Sequence, residues 1–179
     1  SATYQTKNIV DHIRQMNDLY MDFRTGRERE FQYATQAYTG AVLGVPGIGK
    51  TSTVQRCLSL MPQVIVHTNY GGNPMYTKQI NYLFVECPSD CSVRTLAFNI
   101  FSAIDRAIGS DYLKQATYQR AVAASATTTK LKIICMNHHI GLIVIDEIQN
   151  AIQTAVKNRQ LKPLVKFLVE LTNETSTGI

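Results

Sequence analysis

The apolar positions along the chain fall into two periods. Between residues 4 and 24, Ile9, Ile13, Met16 and Tyr20 recur every three or four positions, and Val10, Leu19 and Phe23 widen the stripe. That spacing predicts an amphipathic helix. Gly26 closes it or lies just past it, and the charged run Arg27 to Glu30 reads as solvated. Short β-rich runs follow, at Thr39 to Leu43, QVIVHT (63–68), INYLFVEC (80–87) and LIVI (142–145). The last has no polar residue, which predicts a fully buried strand. Helical spacing returns between these runs. Ser52 to Met61 is stopped by Pro62. Ser92 to Ile108 sets Val93, Leu96, Ile100, Ile104 and Ala107 on one face and ends at Gly109. NYGGNP (69–74) is turn chemistry. Residues 113–128 are polar and alanine-rich, a weakly specified helix. KLKIICM (130–136) fits a helix or a strand by pattern, and the favoured reading is a helix to about His138, ended by Gly141. A polar stretch follows Ile148. Pro163 then opens a last helix, Leu164 to Thr172, with Leu164, Phe167, Leu168 and Leu171 toward the core. Strands that alternate with helices predict an α/β fold with a parallel sheet flanked by helices.

At 179 residues the chain has the size of one ordinary domain, and it shows no internal repeat or low-complexity tract. No apolar run approaches the roughly 20 residues that span a bilayer. The opening SATYQTKNIVDHIRQ lacks the basic-then-apolar layout of a signal peptide. The expectation is a cytoplasmic domain without a membrane partner. Cys57, Cys87, Cys91 and Cys135 then read as free thiols. A zinc site from Cys87, Cys91, Cys135 and His138 or His139 is conceivable, but topology opposes it. Cys87 ends its strand, whereas the histidines precede theirs. In parallel strands about five residues at ~3.3 Å each separate those ends, against ~2 Å for a ligand to zinc. The net charge of +5 is unevenly spread. Residues 1–111 hold ten basic and nine acidic residues, whereas 112–169 hold eight basic residues and only Asp146 and Glu147 as acids. Such a half suggests an anionic partner, nucleic acid first, or else a solvated lysine-rich surface.

The chemistry concentrates in two places. Gly44-Val45-Pro46-Gly47-Ile48-Gly49-Lys50-Thr51 fits G-x-x-x-x-G-K-[ST] throughout and continues into Ser52. Glycines let the backbone curl so that successive N–H groups converge on one anion, and the helix that begins there adds its partial positive charge. Lys50 can reach the β- and γ-phosphates of ATP, and the Thr51 hydroxyl can ligate Mg²⁺. The second place is LIVIDEIQ. Its buried strand carries Asp146 to the carboxyl end, the side of a parallel sheet where ligands bind. Asp146 suits the metal, and Glu147 suits a base that polarises water toward the γ-phosphate.

A guanine-reading N-K-x-D stretch is absent, which argues against a GTPase. Ser125-Ala126-Thr127 precedes the acidic pair, the wrong order for a DExx helicase. GVPGIGKTSTVQRCL, PQVIVH, QINYLFVECPSDCSVRTLAFNIFSAIDRAIGSDY and GLIVIDEIQN together resemble the AAA+ ATPase regulators of DNA transposition, the TnsC type with its TniB relatives, over roughly residues 40–175. The resemblance implies residues 1–36 as an N-terminal helical extension and 37–179 as an AAA+ core. It implies ATP and Mg²⁺, with residues 44–52 on the phosphates, Asp146 on the metal and Glu147 as the hydrolytic base. It further implies self-assembly on duplex DNA, and partnership with target-selector proteins and the transposase. Lys114, Arg120, Lys157 and Arg159 are the named candidates for DNA contact. A complete member continues into a sensor strand, an arginine finger and a helical lid, so the resemblance also implies a truncated core. The alternatives are a general AAA+ ATPase of initiator or secretion type, and a nucleotide-gated scaffold with little hydrolysis.

Overall fold

A computed structural model describes residues 37, 39–45, 47–70, 72–118, 124–148, 156 and 159–179. The expected N-terminal helix and the 1–36 extension lie outside them. In chain order the elements are α1 (Lys50–Leu58), β1 (Val64–Tyr70), β2 (Asn73–Ile80), β3 (Tyr82–Glu86), α2 (Val93–Ile108), α3 (Tyr112–Tyr118), α4 (Ala124–Asn137), β4 (Leu142–Asp146) and α5 (Leu161–Thr175).

The parallel pairing expected between the third and fourth apolar runs is present. β3 runs beside β4 from Tyr82 opposite Leu142 to Glu86 opposite Asp146. Alternation sends the residues of this pair to two faces. Leu83, Val85, Ile143 and Ile145 meet a core built by α2, α4 and α5, including Leu96, Ile100, Phe101, Leu131, Leu164 and Phe167. Leu142, Tyr82, Phe84 and Val144 meet Val54 and Leu58 of α1. The result is a thin sheet with helices on both sides. β4 is less enclosed than its composition predicts. Leu142 and Ile143 are buried, but Val144 and Ile145 are half-buried.

Three expectations about strands need correction. The run Ile80 to Cys87 is not one strand. The chain changes sheets at Asn81, whose backbone N–H donates to Gln63 O, whose side-chain amide donates to Pro62 O and whose carbonyl accepts from Leu142 N. Upstream of that pivot, β2 folds back on β1 as an antiparallel hairpin, with Val64 opposite Ile80. The sheet is therefore not purely parallel. The hairpin was hidden because β2 is largely exposed and polar along its first half, so it has no apolar run to announce it. Third, Thr39 to Leu43 forms no strand. Gly40 N donates to Ile179 O, and Gly178 bridges Leu142. Among the described residues the segment meets a backbone partner only at Gly40, and Leu43 is 89% exposed. An apolar run without a ladder has no partner for its peptide groups.

The helices follow their local signals. Ser92 Oγ accepts Thr95 N at the start of α2, and Gly109, in the left-handed region, ends it. α4 settles the ambiguity at 130–136 in favour of a helix. Pro163 is the third residue of α5 rather than its opener, still within the first turn, where no intrahelical N–H is needed. The short α3 is held from a distance. Asp105 on α2 accepts hydrogen bonds from Tyr112 N, Leu113 N and Ser110 Oγ at 2.6–2.9 Å. His138 Nδ1 lies 2.8 Å from Lys78 O, so that nitrogen carries the proton, and Nε2 accepts from the Tyr112 hydroxyl. The zinc reading does not survive. Cys87 N donates to Asp146 O at one end of β4, while His138 lies at the other end beside Ile80. Among the described residues no three histidine, cysteine, aspartate or glutamate side chains are grouped so that together they could hold a metal ion.

Candidate functional site

The glycine-rich loop enters α1 at the carboxyl rim of the β3–β4 pair. Gly47 and Gly49 have φ of 79° and 87°, a backbone region that side chains oppose. Gly49 is the N-cap of α1, and no side chain caps that end. At Gly44 an added Cβ would lie 3.1 Å from the Ile48 side chain, so the loop closes tightly on itself. Lys50 Nζ bonds back to Gly44 O at 3.1 Å and Val45 O at 3.3 Å. The ammonium is thus folded over the loop it would serve. Val45 and Ile48 are exposed, as is Ser52 in the first turn of α1. Pro46 lies outside the described residues.

The two distant segments meet here. Thr51 Oγ1 donates to Asp146 Oδ2 at 2.7 Å, across 95 positions of sequence. The other Asp146 oxygen accepts Glu147 N at 2.9 Å. Glu147 is exposed and sits at φ 58°, so the backbone turns sharply as it leaves β4. Glu86, opposite Asp146 in the ladder, is a third carboxylate residue at this rim. It had no role from sequence, although its position as the last residue of a buried strand was the available signal. Thr51 and Asp146 offer hard oxygens, which suit Mg²⁺, an ion that keeps several of its own waters. The left-handed glycines, the uncapped helix start and the overlying lysine suit a polyphosphate. The residues present therefore fit both groups.

The four candidates for DNA contact are not gathered in one place by any described contact. Lys114 is exposed on α3, and Arg159 is exposed in the turn before α5. Arg120 and Lys157 lie outside the described residues. The basic half is also less one-sided than its composition. Lys132 bonds to Glu174 at 2.8 Å and Glu170 at 3.4 Å, and Lys166 lies 3.6 Å from Glu170. Both acids follow Val169, so they fall just beyond the basic stretch in sequence but beside it in space. Among the described residues no helix is long and apolar enough to cross a membrane.

A search of curated proteins finds no match to the chain. A family profile described as an AAA domain matches residues 33–179. It covers the loop, the acidic rim and every described element, so the chain belongs to the AAA domain family of P-loop ATPases.

Proposed function

We propose that the chain binds ATP with Mg²⁺ and hydrolyses it, and that it serves as a regulator of DNA transposition that assembles on duplex DNA and links target-site selection to the transposase. The observation that supports the nucleotide chemistry is the 2.7 Å contact between Thr51 and Asp146. It sets a phosphate-type loop against a strand-end carboxylate. In this reading Gly44 to Ser52 cradle the phosphates through backbone N–H groups, and Lys50 swings from its own carbonyls to phosphate oxygens. Mg²⁺, when bound, supplies positive charge against those oxygens, with Thr51 and Asp146 as its protein ligands. Glu147 accepts a proton from the attacking water. Replacing Asp146 by Asn tests the arrangement. The expected result is ATP binding that no longer strengthens when Mg²⁺ is added; an unchanged Mg²⁺ dependence in calorimetry would remove the assignment.

The transposition role rests on the resemblance of the segments at 44–58, 62–67, 79–112 and 141–150. In that role Lys114, Arg120, Lys157 and Arg159 meet the duplex backbone. Binding should then weaken steeply with salt, by about 0.9 in log affinity per log salt for each phosphate neutralised. Duplex DNA should also raise ATP turnover. The internal pairing of Lys132 and Lys166 with Glu170 and Glu174 favours a second reading, a general AAA+ ATPase without duplex binding. Salt-insensitive or absent DNA binding alongside intact turnover would select it.

A further inference from the structure

The open edge of β3 carries a groove with its own chemistry. Leu142 N donates to Asn81 O, and Cys87 N donates to Asp146 O. The Asn81 carbonyl, residues 83 and 85 and the Cys87 N–H therefore face β4, and 82, 84 and 86 turn their peptide groups away. Two side-chain amides cover that outer edge. Gln63 Nε2 donates to Tyr82 O at 3.3 Å, and Asn99 Nδ2 donates to Glu86 O at 3.0 Å. Phe84, between them, faces no strand on this side among the described residues. An edge protected at two positions and open at the middle one is a template for a further strand.

Beside Phe84 lies a cavity of about 200 Å³, lined by Gln63, Leu83, Phe84, Ala103, Arg106 and Ala107. Ala103 and Ala107 are one helical turn apart on α2 and keep the groove open by being small. Arg106 lies between them in sequence. Its guanidinium donates to Ser102 Oγ at 2.8 Å, and no carboxylate among the described residues pairs with it. Its neighbour Asp105 is directed elsewhere, to the start of α3. An exposed arginine with one hydroxyl partner, beside an unmatched main-chain N–H and C=O, is suited to an incoming acidic side chain on an extended backbone.

The geometry points to this edge as a docking site for an extended peptide segment of a partner protein, paired to Phe84 through the main chain and anchored by an aspartate or glutamate on Arg106. The occupant follows from the two halves of the groove. The strand edge selects an extended backbone, and the uncompensated guanidinium selects an acid over a base or an amide. The site is separate from the nucleotide rim and does not depend on the function proposed for it.

The test uses a capped, fluorescently labelled heptapeptide of alternating valine and threonine with a central aspartate, and its asparagine counterpart. Anisotropy titration of the chain should give saturable binding for the aspartate peptide and at least tenfold weaker binding for the asparagine one. Hydrogen exchange at the Phe84 amide should slow at least tenfold on saturation. Arg106→Gln is an exposed change that leaves the core intact, and it should abolish the difference between the two peptides. Ala107→Leu should weaken both by filling the groove. Equal affinities for the two peptides, absence of binding, or binding that leaves Phe84 exchange unchanged would each overturn the proposal. So would acetate alone protecting Phe84 as well as the peptide does, because the strand would then contribute nothing.

Discussion

Lys50 and Glu147 each lie one residue from the Thr51–Asp146 contact, and in the proposed ATPase their substitutions should separate binding from turnover. Lys50 is held by two carbonyls of its own loop, and those bonds can be exchanged for phosphate oxygens without moving the backbone. Lys50→Ala should weaken ATP binding by roughly 1.5–3 kcal/mol, about ten- to 150-fold, the range for a hydrogen bond to a charged group. Isothermal titration reads this directly, and an unchanged affinity would dissolve the phosphate-loop assignment. Glu147→Gln should leave binding in place and slow hydrolysis by about 10²- to 10⁴-fold, the usual contribution of a general base. Phosphate-release kinetics at saturating ATP would show it, and a rate close to that of the parent chain would reassign the base.

At the scale of elements, the segment AIDRAIGSDY reads as a corner in the fold. Asp105 reaches forward to cap α3, Gly109 takes the left-handed position between the helices, and the Tyr112 hydroxyl bonds to His138 in the turn after α4. α3 has only seven residues, too few to hold together without such help. Asp105→Ala should cost about 1–3 kcal/mol in urea unfolding, since it strips acceptors from two backbone N–H groups. Loss of less than ~0.5 kcal/mol would mean that water replaces the carboxylate at no cost. A comparable constraint holds the two sheets together. A Cβ on Gly141 would lie 2.7 Å from Asn81 O, at the pivot where the chain leaves the hairpin. Gly141→Ala must push the β3–β4 register apart or shift the pivot, with an expected loss of about 1–3 kcal/mol, in the range of overpacked sites. Circular-dichroism melts would check it.

At the scale of the molecule, stability should be flat near neutral pH and fall on both sides. On the alkaline side, burial pushes the Cys135 thiol up to about 12. Burial, with Cys91 and Asp90 nearby, pushes Cys87 up to about 11. Burial also raises Tyr112, helped by Asp105 and Asp111. Above about pH 9 the unfolded chain releases thiol protons that the folded chain keeps, so unfolding gains and stability falls, by up to about 1.4 kcal/mol per pH unit for each such group. Lys132 acts in the same direction. Its hydrogen bond to Glu174 raises its pKa, a contribution complete below the ordinary lysine value and lost as pH climbs through the raised one. On the acid side, partial desolvation of the exposed His139, with His67 and His138 nearby, lowers its pKa. Below about pH 6.5 the unfolded chain therefore takes up a proton that the folded chain resists, and stability falls again. Denaturation midpoints across pH 5–11 would test the profile. A midpoint that rose between pH 9 and 11 would contradict it. The same burial predicts that a thiol reagent at pH 8 modifies half-buried Cys57 well before Cys87, Cys91 or Cys135.

Much of this was legible along the chain because it depends on neighbours in sequence. Glycine spacing dictates the loop, aromatic and β-branched runs dictate β3 and β4, and Ser92 and Gly109 bracket α2, all through local sterics and capping. The rim position of Asp146 also followed from sequence, because a parallel strand has only one end at which to meet the loop. Tertiary structure alone decided the rest. Asn81 shares its peptide groups between Gln63 and Leu142, so an apparently single strand serves two sheets. Thr39 to Leu43 lacks a continuous ladder, so apolar residues stay irregular. Lys132 and Lys166 find acids on α5, so a basic stretch is partly neutralised. In each case the deciding partner lies outside the window from which a local pattern is read. Hydrogen-bond satisfaction and charge pairing are settled by what folds against a segment, whereas propensity and hydrophobic period are properties of the segment itself.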